Sequence, residues 1–209
     1  RRQEIASESI VAIHRDVHGG FWMAEKDGSI SRRANTHRAH YLIALIENGA
    51  THESTRIFFV EQDQSGNVWV GTNRGLGRFE SGQFRTYTDV DGLGSNRISS
   101  MLETPQGEVW FGTDGGITEF VDGAITSYDQ SDGLAYDKVN SISTDREGHL
   151  WIATHGGGVS QFDGLVFQSL RARDGLAHNV VHAIHQDRRG DLWFATQDGL
   201  TRYRPRVSQ

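Results

Sequence analysis

The sequence predicts an all-β fold, a β-propeller of about five four-stranded blades, and three observations carry that prediction. Tryptophan recurs at Trp22, Trp69, Trp110, Trp151 and Trp193, the last four spaced by 41 or 42 residues. Glycine stands three residues ahead of each (Gly19, Gly66, Gly107, Gly148, Gly190), and aspartate six ahead in all copies but the third (Asp16, Asp63, Thr104, Asp145, Asp187). Between these columns, short apolar-polar alternations are broken by Gly, Asp and Asn, giving four strand-type segments per copy. Four strands at a period near 40 residues is the pattern of a propeller blade.

Each element of a copy has its own sequence reason. The first strand starts at Ile10, Ile57, Ile98, Val139 or Val181, twelve residues before the Trp, with a second apolar residue three later. The D-x-x-G that follows reads as a hairpin: Asp accepts backbone N–H bonds and Gly supplies a positive φ. The second strand carries the Trp, a large aromatic suited to a position buried between blades. Gly or Ala then Thr follow in four copies, before a Gly turn into a third strand ending at Phe79, Phe120, Phe162 or Tyr203. A fourth strand, 84–87, 125–128 or 167–170, leads to Asp-Gly-Leu at 91–93, 132–134 and 174–176.

The chain thus divides into one propeller domain, 1–209, with repeats at about 10–56, 57–97, 98–138, 139–180 and 181–209. The first is the most divergent. Its second and third strands fall in FWMAEKDGSISRR, its fourth in AHYLIALI, and its extra residues between Ser31 and Thr55 predict a longer outer connection. The fifth stops about where its fourth strand should begin. Two arrangements stay open: a closed five-blade ring, or part of a larger propeller. The chain begins with Arg and shows no signal peptide, so it reads as a processed form or an excerpt.

Composition excludes several classes of function. A formal net charge of −6 argues against a nucleic-acid partner, since phosphate binding wants a basic stripe. Arg1, Arg2, Arg32, Arg33 and Arg38 are local exceptions and read as a solvated edge. There is no cysteine, hence no disulfide framework or thiol chemistry. The longest apolar run, Tyr41 to Ile46, is far too short for membrane insertion, which takes about 20 residues. The glycine-rich turns lack G-x-x-x-x-G-K-[ST], so no nucleotide is implied, and no cofactor is expected.

Binding chemistry is expected on the links between blades, because loops on a rigid scaffold are where binding residues concentrate. These positions vary while the Trp and Gly columns do not. Asn96 and Arg97, Tyr136, Asp137 and Lys138, and His178 and Asn179 form a candidate polar ring for a small anionic or hydroxyl-rich ligand. The plainer alternative is that Asn96, Asp137 and Asn179 cap turns while their neighbours are merely exposed. Ten histidines invite a metal, and His178, His182 and His185 lie close together, with His14 in the column of His185. No H-x-H or H-E-x-x-H pattern accompanies them, and no metal site is assigned. His155, in a glycine-rich turn, reads as exposed.

The strings GNVWVGTNRGLGRF at 66–79, GEVWFGTDGGITEF at 107–120, GHLWIATHGGGVSQF at 148–162 and GDLWFATQDGLTRY at 190–203 resemble the two-component regulator propeller repeat. The resemblance is strong over about 57–204 and weak over 10–56. It implies a periplasmic or extracellular sensory domain of a bacterial signalling protein, taking a small ligand, a glycan or a protein partner, and no enzyme. The repeat is more loosely similar to that of streptogramin lyases, where His182 or His185 would be the candidate base. TDREGHLW and EQDQSGNVW are also similar to the structural Asp-box hairpin of sialidases. A bare interaction scaffold is a third reading, with self-association through the open edge of the fifth blade.

Overall fold

A computed structural model describes residues 9–26, 28–34, 37–42, 55–80 and 82–205, with backbone alone given for 37–42. Arg1, Arg2, the Arg38 side chain and most of the expected long connection between Ser31 and Thr55 lie outside the described residues. The chain is all-β and falls into two compact units, one comprising 1–88 with 96–98 and the other 89–95 with 99–209.

The first unit holds two four-stranded antiparallel sheets, each an up-and-down meander. β1 (Ile10–Arg15), β2 (Phe21–Glu25), β3 (Ser29–Ala34) and β4 (His37–Leu42) form one. β5 (Ile57–Gln62), β6 (Val68–Thr72), β7 (Leu76–Glu80) and β8 (Gln83–Tyr87) form the other. Trp22, Ala24 and Ile30 of the first sheet pack on Ile57, Val60, Val68 and Val70 of the second. The Trp22 ring meets Phe79 edge-on, with centroids 5.5 Å apart.

The second unit repeats the pattern. β9 (Ile98–Glu103, its first residue grouping with the first unit), β10 (Val109–Thr113), β11 (Gly116–Val121) and β12 (Ala124–Tyr128) make a sheet. β13 (Val139–Thr144), β14 (Leu150–Thr154), β15 (Val159–Phe162) and β16 (Phe167–Leu170) make the next. The last, β17 (Val181–Gln186), β18 (Leu192–Thr196) and β19 (Gly199–Tyr203), has three strands among the described residues. Trp110 packs against Ile142, Ile152 and Phe162 of the following sheet, and Trp151 against Phe194 and Tyr203. Trp22, Trp110 and Trp151 thus span the seams between consecutive sheets of their units, where burying a large aromatic contributes most.

One element has no counterpart in the sequence reading. Each Asp-Gly-Leu closes a single 3₁₀ turn, at Asp89–Asp91, Gln130–Asp132 and Ala172–Asp174. Asp132 and Asp174 accept the N–H three residues back, at 2.9 and 3.0 Å. Gly133 and Gly175 follow at φ 109° and 111°, a region nearly closed to other residues. Leu93, Leu134 and Leu176 then drop into the core. The tripeptide is a bracket that turns the chain from one sheet into the next.

Candidate functional site

The ends of the sheets differ in what holds them. At one end lie the hairpins joining first and second strands. Asp63, Asp145 and Asp187 each accept backbone N–H bonds through Oδ1 and the Trp indole N–H through Oδ2, at 2.8, 2.8 and 2.9 Å. The indole bond ties the hairpin to the second strand. Asp187 is held below the usual carboxylate range by that bond first, burial opposing it. In the first copy Asp16 Oδ2 accepts Arg32 Nε instead, at 2.8 Å. Burial pushes this carboxyl up, but bonds from Gly20, Arg32 and His18 outweigh it and leave it low.

At the other end the turn between second and third strands meets the link between sheets. Thr72, Thr113, Thr154 and Thr196 each donate their hydroxyl to the glycine carbonyl across the turn, at 2.8 to 2.9 Å. The same hydroxyl accepts a turn N–H from Arg74, Gly115 or Gly157. Third-strand hydroxyls fasten the links: Thr118 accepts from Gly94 N–H, Ser160 from Ala135 and Thr201 from Ala177. The repeated polar groups of this end are therefore taken up by backbone.

The varied residues sit on that framework. In the second unit, the turn 155–158 lies between two links: His155 N–H bonds the Lys138 carbonyl and Gly158 N–H the Asn179 carbonyl, both at 2.8 Å. The Tyr136 ring lies beside Gly156, and a Cβ at Gly157 would strike the Ala135 carbonyl, so glycine at 157 lets turn and link approach. The structure thus gathers Tyr136, Lys138, Asn179 and His155 around one turn, with Tyr136 and His155 exposed. His178 is half-buried and its Nδ1 accepts from Val180 N–H at 2.9 Å, which leaves Nε2 as the donor. Asp137 and Asn179 have side-chain roles in the turn: their Oδ1 atoms accept from Gln130 and Ala172 N–H, both at 2.7 Å. In the first unit, the Arg97 guanidinium lies over the Phe58 ring, 4.5 Å from its centroid, and Asn96 is half-buried beside it. Asn96 and Arg97 belong to a different unit from the other candidates.

Sequence reasoning missed a cleft at the link end of the first unit. It measures about 450 Å³ and is lined by Val11, Glu25, Lys26, Arg56, Ile57 and Asn73, among others. Glu25 is buried and accepts from Ser31 Oγ at 2.8 Å. Asn73 accepts from Arg56 N–H, so turn and link are joined here too. His155 and Asn73 each directly follow the clamping Thr, the one signal that could have drawn attention to both.

First strands carry two shifted groups in the first unit. Burial lowers His14, with Asp16 pulling the other way, and burial raises Glu61. His182 and His185 are exposed on β17 and have no carboxylate partner among the described residues. Asp145, Glu147 and His149 offer side-chain donor atoms within 4.8 Å of one another. Asp145 already binds two backbone N–H groups, the Trp151 indole and His149 Nδ1, which accounts for the cluster as a hairpin lock.

Residues 92–115, 133–156 and 175–198 match the two-component regulator propeller family, each match running from a link through the hairpin and Trp strand to the clamped turn. No curated protein matches the chain by sequence. Among solved structures it is similar to the extracellular domain of a hybrid two-component system from B. thetaiotaomicron: 23% identity, 98% of this chain and 28% of that one, TM-score 0.74. A one-component system's extracellular domain from the same organism is 19% identical over 99% of this chain and 31% of its own, with TM-score 0.71. Virginiamycin B lyase from Staphylococcus aureus is 17% identical over 100% and 74%, with TM-score 0.70. At these identities the likeness is one of fold, and the chain spans under a third of the length of the first two. The matched segments coincide with the bracketed links, hairpins and clamped turns seen here, and those three stretches of the chain match the two-component regulator propeller repeat.

Proposed function

We propose that the chain is a sensory module of a bacterial signalling protein, held in the periplasm or outside the cell, which binds a small ligand or glycan at its link end without transforming it. One observation carries the reading. At the link end the repeated Thr, Ser and Asp groups are consumed by backbone bonds, while side chains that differ from copy to copy, Tyr136, Lys138 and His155, stand free of that framework. A scaffold kept constant beneath varied side chains is the arrangement of a binding surface. The fold alone is shared with a lyase, and fold does not fix function.

The test is a melting-shift screen of the whole chain against neutral and acidic mono- and disaccharides and amino acids, with hits followed by calorimetry. A bound compound should be recovered chemically intact, and Tyr136→Ala with His155→Ala should weaken it about tenfold or more, equivalent to about 1.4 kcal/mol. Turnover of the compound, or full affinity in the double variant, would overturn the reading.

A further inference from the structure

The hairpin end of the second unit carries a cleft of about 330 Å³ that the repeat scaffold does not explain. It lies between the β13–β14 and β17–β18 hairpins and is bounded by Arg146, Arg189 and Arg204, with Asp191 and Glu147 at its margin. Arg146 reaches across from its own sheet: Nη2 donates to the Arg188 carbonyl at 2.6 Å. Its guanidinium also rests on Gly190, where a Cβ would come within 3.4 Å of Nη1. These two contacts fix the guanidinium in place and use one of its five donors.

Charge at the cleft is unbalanced. Asp191 is buried and is already the acceptor for both Arg202 and Arg204. Glu147 keeps its carboxylate within 4.8 Å of the Asp145 carboxylate and the His149 ring. Arg146 and Arg189 have no carboxylate partner among the described residues. Three guanidinium groups, of Arg146, Arg189 and Arg204, thus line the cleft against the two carboxylates of Asp191 and Glu147, in a chain whose overall charge is −6. The fold does not ask for arginine here. The column of Arg146 otherwise holds Val17, Gln64, Pro105 and Arg188, and that of Arg189 holds His18, Ser65, Gln106 and Glu147.

We propose that this cleft binds a small oxyanion, a phosphate, a sulfate or the carboxylate of a larger ligand, held between Arg146, Arg189 and Arg204. Guanidinium groups match planar and tetrahedral oxyanions with paired N–H donors, and a preset one loses less freedom on binding. The cleft bridges two consecutive sheets, so an anion there would also brace their seam. The proposal is independent of the link-end reading, which concerns the opposite end of the sheets.

Calorimetry of the full chain with inorganic phosphate, sulfate and citrate, at constant ionic strength set by potassium chloride, tests it. Saturable binding of at least one probe is expected, with the preferred probe telling phosphate, sulfate and carboxylate sources apart. Arg189→Gln should weaken that probe about tenfold or more and leave the melting temperature of the ligand-free chain unchanged, since its side chain holds nothing. Arg146→Gln should weaken it as well and lower the melting temperature by loosening the strap. Unchanged affinity in Arg189→Gln, or no saturable binding of any probe, would overturn the assignment.

Discussion

At the scale of single residues the third repeat is the informative one, because it breaks the Asp column. Thr104 stands where Asp63, Asp145 and Asp187 accept the Trp indole. Its hydroxyl instead accepts Glu108 N–H at 3.2 Å, and Trp110 Nε1 is buried without a hydrogen-bond partner among the described residues. An unmet buried donor costs about 1 to 3 kcal/mol. Thr104→Asp alone would place a carboxylate beside Glu108, whose charge already adds to the burial that raises Glu119. Thr104→Asp with Glu108→Asn copies the second repeat, where Asn67 Nδ2 donates to Asp63. The pair is expected to stabilise the chain by about 1 kcal/mol, and the single change by less. Urea midpoints of the three proteins check this; a double variant no more stable than the parent would refute it. The Trp and Gly columns were legible because every copy carries them, and the Asp column because four of the five do. The indole bond was not, since it joins residues six apart that meet only once the hairpin has formed.

Strands and turns were legible where alternation and glycine were regular, and less so where geometry depends on several weak signals at once. The 3₁₀ turns escaped notice because three residues carry too little periodicity to register, although the Asp-Gly-Leu that closes them was plain. The last sheet shows what a fourth strand does. Leu76, Ile117 and Val159 pair with Tyr87, Tyr128 and Leu170 of their fourth strands and are fully buried. Leu200, in the same column on β19, is 61% exposed. Among the described residues β19 is the outer strand of its sheet, and an edge strand with an exposed Leu invites another strand. The chain is therefore expected to self-associate through β19. Light scattering behind size exclusion should show a mass that rises with concentration, and Leu200→Lys should return the monomer mass across the same range. A monomer at all concentrations would refute the expectation.

For the molecule as a whole, repetition determined what could be read. Features that recur in every copy, the sheets and their seams, emerged from one sequence. The arginine cleft did not, because it takes its residues once each from two repeats and from the stretch after β19. Stability against pH is a further whole-molecule property. Glu61 is raised by burial, so its contribution is full below its ordinary value of 4.5 and is lost as pH rises through the higher folded value. Glu61→Gln removes the ionisation while keeping the shape. Parent and variant should melt together near pH 4, and the variant should be the more stable by pH 7; parallel melting curves across that range would assign the shift no role.

Every strand in the five sheets is bonded to a neighbour in sequence, and the bonds between sheets of the second unit reach one repeat at most, as from Asn140 to the Val181 carbonyl or Ser99 to the Val139 carbonyl. No part of such a sheet has to wait for a distant stretch of chain. Loop closure, the step that slows most β proteins, is short throughout. A nascent chain can finish one sheet, and seat its Trp on the next, while later repeats are still being made, so folding can keep pace with emergence from the ribosome and leave little apolar surface unclaimed on the way.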